Sequence, residues 1–140
     1  MWRHATTPAG INAEFGPWMR MTVPRRLRHT SLDEVELGAR VCRSWVLVLG
    51  VVPFEYDDLV IVERGPGLRF LERSSTLVAR TWQHERMVVP AASGCRLTDR
   101  VSLDPRPAMA RVPGSAGMVR RVVEAIFTHR HRRLAARFGD

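Results

Sequence analysis

The spacing of hydrophobic and polar positions changes twice along this chain. In residues 2–22 the apolar side chains Ile11, Phe15, Trp18, Met19 and Met21 recur at roughly helical intervals. Thr6-Thr7-Pro8 offers an N-cap followed by a first-turn proline, and Gly16-Pro17 breaks the run. Residues 1–30 therefore predict one or two short helices, ending in a basic connector at 24–29. Ser31 and Glu34 have the spacing of a capping box, but Gly38 follows so soon that any helix there is very short.

From about residue 39 the period falls to two. Strands are predicted at 39–49, 54–64, 69–75, 77–89 and 95–103, with a tight turn at Gly65-Pro66-Gly67 and another at 91–94. Five consecutive strands joined by short links imply an antiparallel meander. Pro105 and Pro107 end it, a loop follows, and the helical period returns over 116–138. There Val119, Val122, Val123, Ile126, Phe127, Leu134 and Phe138 form an apolar stripe. A helix of roughly 23 residues is a rod of about 35 Å, long enough to cross the sheet. The chain reads as a single α+β domain over 1–140: an N-terminal helical segment (1–30), a curved antiparallel sheet (39–104) and a long C-terminal α-helix (116–138) that the sheet wraps. Sheet and helix must bury their apolar faces on each other, and a curled sheet leaves a hollow lined by bulky side chains, suited to a small hydrophobic ligand.

Composition narrows the alternatives. Apolar residues make up 45% of the 140, enough for a core. No apolar run is long enough to span a membrane as a helix, and the N-terminus lacks the apolar region of a secretory signal, so a cytoplasmic protein is expected. Cys42 and Cys95 cannot make a disulfide framework or a structural zinc site, and no cofactor is expected. Net charge is +8, yet all 22 basic residues are arginine. Total absence of lysine reads as a coding bias rather than a nucleic-acid surface, so no specific nucleic-acid partner is expected.

Two polar clusters stand out. In one strand Trp82, His84, Arg86 and Val88 share a face, and in the next strand Leu97, Asp99, Val101 and Leu103 do. Their hairpin places Asp99 opposite Arg86 or diagonal to His84. Three roles fit: a structural ion pair, a polar anchor for a ligand headgroup, or His84 as a general base oriented by Asp99. The second cluster is His129-Arg130-His131-Arg132-Arg133. Its histidines lie on nearly opposite sides of a helix and cannot chelate one metal together, and most of the run reads as a solvated face. Arg130 is the exception, bracketed by the apolar stripe and able to reach an acidic strand residue such as Glu72. Asp57 and Asp58 read as edge or loop charges. Trp18, Trp45, Trp82, Val123 and Phe127 come from elements that converge in this fold, as ordinary core or as the wall of a cavity. Three functions remain open: binding of a small hydrophobic ligand, a cyclase or dehydratase using His84, and a basic interaction surface along 120–137.

Four segments in order carry a resemblance: Phe70-Leu71-Glu72-Arg73-Ser74, Trp82-Gln83-His84-Glu85-Arg86, Gly94 through Asp99 to Val101, and Phe127 through Arg130 to Leu134. Together they resemble the START-like helix-grip proteins, the SRPBCC or polyketide cyclase/dehydrase and lipid-transport superfamily, over residues 39–138. Trp82, His84 and Asp99 match a recurring motif of an uncharacterised bacterial branch. The resemblance implies a sheet gripping the last helix around an apolar cavity that takes a lipid, polyketide or aromatic compound. It also implies a departure: such proteins begin with a strand ahead of the first helices, and this chain starts inside the helical region. The first strand is then missing, and an unpaired sheet edge could join two copies.

Overall fold

Alternation of apolar and polar side chains from residue 40 onward produces the sheet expected from it. A computed structural model describes residues 1–139 and shows strands β1 (Met19–Met21), β2 (Arg40–Val48), β3 (Val52–Arg64), β4 (Leu68–Thr76), β5 (Ala79–Pro90) and β6 (Cys95–Pro105). They form one six-stranded antiparallel sheet in sequence order. Register shifts within β2–β3, β3–β4 and β5–β6 add local twist, and the sheet curls into a half-barrel. A short helix, α3 (Pro107–Ala110), lies in the segment expected to be a loop. The long helix α4 (Ser115–Phe138) has 24 residues and is about 36 Å long, so the expected helix-grip arrangement is present.

The N-terminal region holds a correction. Helices α1 (Trp2–Ala5) and α2 (Pro8–Phe15) form as expected, with the Thr7 hydroxyl accepting the Gly10 N–H at 3.3 Å. Gly10 allows the two helices to touch, since a Cβ there would sit 1.7 Å from the His4 carbonyl oxygen. Met19 and Met21, however, belong to a strand rather than to a helical face. Pro17 cannot continue α2, and the Asn12 side chain fixes the extended backbone beyond it. Its Oδ1 accepts the Met21 N–H at 2.7 Å, and its Nδ2 donates to the Met21 carbonyl at 3.0 Å. Met19–Met21 then pairs with Val46–Val48 of β2. Among the described residues no strand precedes α1, and β6 has a neighbour on one side alone.

Segment 31–38 uses the capping-box chemistry without a helix. The Ser31 N–H donates to Glu34 Oε2 at 2.8 Å, but the chain turns away at Gly38, where φ is +77°. Leu32 and Val35 enter the core there with Ile61 and Phe70, and Trp2, Ile11, Val41 and Leu59 pack around them. This packed core joins the sheet to segment 31–38 and the N-terminal helices. Among the described residues no helix is long and apolar enough to cross a membrane.

Candidate functional site

Four charged side chains from four elements meet inside the protein. Arg86 of β5 is wholly buried, at 0% exposure. It sits opposite Asp99 of β6 in the register and grips it with two bonds, Nε to Oδ1 at 2.7 Å and Nη2 to Oδ2 at 2.9 Å. Its Nη1 donates to both oxygens of Glu14 on α2, at 2.9 and 3.0 Å. Arg130 of α4 donates to Glu14 Oε2 through Nε at 2.9 Å and through Nη2 at 2.8 Å. Two guanidiniums thus face two carboxylates, and the bidentate geometry offsets the desolvation that isolated charges would suffer. Burial works against the Asp99 charge. Hydrogen bonds from His84 and Arg86, with the Arg86 charge, overcome it and hold the carboxyl well below the usual range.

His84 carries this network to the concave face. Its Nε2 lies 2.8 Å from Asp99 Oδ1 and its Nδ1 lies 3.4 Å from Glu72 Oε2. The imidazole stands edge-on to Phe70 and Phe127, with centroids 5.4 and 5.1 Å away. Glu72 also accepts the Ser74 hydroxyl at 2.8 Å. Beside it is Asp57 of β3, whose carboxyl is pushed well above its ordinary value by burial and by the Glu72 charge. Asp57 Oδ1 is buried with no hydrogen-bond partner among the described residues. A buried acceptor left in that state costs about 1–3 kcal/mol.

Next to these acids is a cavity of about 400 Å³ between the concave sheet and the N-terminal half of α4. Ile11, Phe15, Met21, Phe54, Phe70 and Trp82 form its apolar wall from one side, and Val119, Val122, Val123, Ile126 and Phe127 close it from α4. Glu55, Asp57, Glu72, His84 and Arg130 supply its polar atoms. A second, more open groove lies between β6, α3 and α4, lined by Val101, Leu103, Met109 and Val112.

Of the side chains expected at a ligand site, Trp82, His84, Val123 and Phe127 line the cavity, with Trp82 stacked on Phe127 at 6.5 Å between centroids. Arg86 and Asp99 stand behind it as the brace for His84. Trp18 and Trp45 are corrections. Trp18 follows the Pro17 break and is 60% exposed, while Trp45 points to the convex face, 42% exposed, beside its strand partner Tyr56. Asp57 is a further correction: it faces the cavity rather than an edge, because β3 turns alternate residues inward. Asp58 points outward to Arg43, at 2.7 Å. Arg130 reaches Glu14 and not Glu72, since α2 lies between α4 and β5 at that level. The two neighbouring histidines are not free solvated groups either. His129 Nε2 lies 2.9 Å from the Gly16 carbonyl oxygen and His131 Nε2 lies 2.7 Å from Asp99 Oδ2, consistent with their opposite directions on the helix.

Glu14 is the functional residue that sequence reasoning missed. Its signal was present: it falls between Ile11 and Phe15 on the apolar side of α2, where a carboxylate needs a buried partner. Several arginines of the basic run are also engaged, Arg120 with Glu124 at 2.8 Å and Arg133 with the Ala13 carbonyl at 3.3 Å. A family model described as a domain of unknown function (DUF8410) matches residues 1–138. No curated protein and no solved structure matches the chain.

Proposed function

We propose, for a chain that belongs to the family described as a domain of unknown function (DUF8410), the binding of a small hydrophobic ligand in the cavity under α4. The observation that carries this reading is a space of about 400 Å³ walled by aromatic, aliphatic and methionine side chains, with a cluster of polar groups at one place. Sites for small molecules have this size and this mixture. The arrangement also supports, as part of the proposal, kinship with the START-like helix-grip proteins. Cytoplasmic residence goes with it, where the free thiols of Cys42 and Cys95 stay reduced.

The test is a thermal-shift and native mass-spectrometry screen of medium-chain alkyl and aromatic compounds on the full chain. Ligand at about 100 times its Kd adds roughly 2.7 kcal/mol, a shift of several degrees. The variant Val123→Trp, which fills the cavity from α4, is expected to abolish the shift. No shift with any compound, or equal shifts in wild type and variant, overturns the reading.

A second reading is proton transfer on the bound molecule, and one observation favours it: a carboxyl with a raised pKa, Asp57, on the cavity wall. His84 offers a ligand no free ring nitrogen, because both face carboxylates of the protein itself. Turnover of a bound compound that Asp57→Asn abolishes would establish this reading, and recovery of every ligand unchanged would remove it. Association of two copies along the open side of β6 also belongs to the proposal. Sedimentation at micromolar concentration decides it, with a monomer as the refuting result.

A further inference from the structure

We infer that the ligand enters head-first with a protonated amine, and that the cavity selects an apolar amine over the matching alcohol or carboxylic acid. The inference rests on the binding reading above and narrows its substrate class. Three carboxyl groups, Glu55, Asp57 and Glu72, line the cavity. Among the described residues the one basic side chain in ion-pair contact with any of them is His84, 3.4 Å from Glu72, and that ring is held at 2.8 Å by Asp99 on its other nitrogen.

Arg130, the remaining cation on the wall, is committed elsewhere. Its Nε and Nη2 both bind Glu14, and its guanidinium lies over the rings of Phe15 and Phe127, 4.8 and 5.0 Å from their centroids. The Arg130–Glu14–Arg86–Asp99 cluster is balanced within itself, two positive against two negative. Of the cavity's own acids, Glu72 has the His84 ring alone as a cationic neighbour among the described residues, and Asp57, whose burial beside Glu72 favours the uncharged form, has none.

Asp57 adds the independent observation. Its Oδ1 is shut away from solvent and accepts no hydrogen bond, although the side chain lines the cavity. The Ser74 hydroxyl nearby donates to Glu72, at 2.8 Å, and leaves Asp57 Oδ1 without a donor. An ammonium group brings three donors and a positive charge, which meets both deficits. Aromatic rings such as Phe54 and Phe70 on the same wall are compatible with a cation. A carboxylate headgroup would meet the three acids and gain no unpaired partner.

Titration calorimetry with decylamine, decanol and decanoate below their aggregation limits separates the possibilities. The amine is expected to bind ~10-fold or more tightly than the alcohol, with the carboxylate weakest. Asp57→Asn and Glu72→Gln are each expected to lower amine affinity roughly 10-fold and to leave alcohol affinity within about two-fold. Val123→Trp serves as the blocked control. Equal affinity for all three probes, or tightest binding of decanoate, overturns the headgroup inference and leaves the binding reading standing. Binding of none, or undiminished amine binding to the blocked variant, overturns both. The ranking on the wild-type chain decides the matter even where a variant folds poorly.

Discussion

The two halves of α4 meet the same sheet under opposite conditions. In the C-terminal half, Arg130 and Leu134 are buried, α2 packs alongside, and Glu14 of α2 locks Arg130 to Arg86. In the N-terminal half, Val119, Val123 and Ile126 look into the cavity while Met118 and Val122 are 69% and 46% exposed. Helix, sheet and hydrophobic stripe are common to both; the difference is α2, which reaches one half and leaves the other without backing. A fold built this way separates the residues that hold it together from the residues that hold a ligand. The separation can be tested from each end.

The largest effect is expected at the charged brace. Arg86→Met leaves Asp99 and Glu14 facing each other inside the protein with one guanidinium fewer, and breaking a buried pair costs about 3–5 kcal/mol. Chemical denaturation measures it. The contrast is Arg120→Met, which removes an exposed i, i+4 pair with Glu124 and is expected to cost about 0.5 kcal/mol or less. Similar losses in the two variants would mean that the buried cluster is not what fixes the C-terminal half of α4.

Packing gives the next step down. Ile61 is fully buried among Leu32, Val35 and Phe70, and Ile61→Ala is expected to destabilise by about 3 kcal/mol, within the usual range for such a cavity. A loss below about 1 kcal/mol would show that this core is packed as loosely as the wall of the cavity.

These two sites differ in how far the sequence announced them. Strand alternation put Arg86 and Asp99 on one face and across a hairpin, and the register agrees. The sheet and the last helix were equally legible, because their periods are long and uninterrupted. What stayed hidden depends on contacts distant in sequence. Glu14 meets Arg86 across 72 residues and Arg130 across 116, and no local pattern encodes that meeting. Asp57 and Asp58, on opposite faces of a strand, both read as edge or loop charges; which of the two turns inward is set by how β3 sits in the sheet, not by residue type. Trp18 and Trp45 misled in the opposite way, since aromatic size suggests burial while the Pro17 break and strand parity set direction.

Acid–base behaviour distinguishes the brace from the cavity by sign. Asp99 has its folded value depressed, so the stability it contributes is present above its unfolded value of about 4 and is lost as the pH falls. Asp57 has its folded value raised, so its contribution is present below about 4 and is lost as the pH rises through the raised value. Asp57→Asn is therefore expected to flatten the decline in melting temperature as the pH rises above about 4 and to leave the acid-side loss in place. Parallel pH profiles for wild type and variant would mean that Asp57 titrates as an ordinary surface acid.

The smallest effect on stability falls on the wall of the cavity. Val122 is half exposed and already borders empty space, so Val122→Ala removes few contacts and leaves little new void. The expected cost to the ligand-free protein is within about 0.5 kcal/mol, against about 3 for Ile61→Ala. With a ligand bound, the same side chain has a partner, and truncation should reduce the thermal shift more than it reduces the melting temperature of the free protein. Ile61→Ala should do the reverse, lowering the baseline and leaving the shift nearly unchanged. Measuring both variants with and without decylamine places each residue on one side of the division. Were Val122→Ala to unfold the free protein as Ile61→Ala does, the N-terminal half of α4 would be structural core, and the contrast between the two halves would disappear.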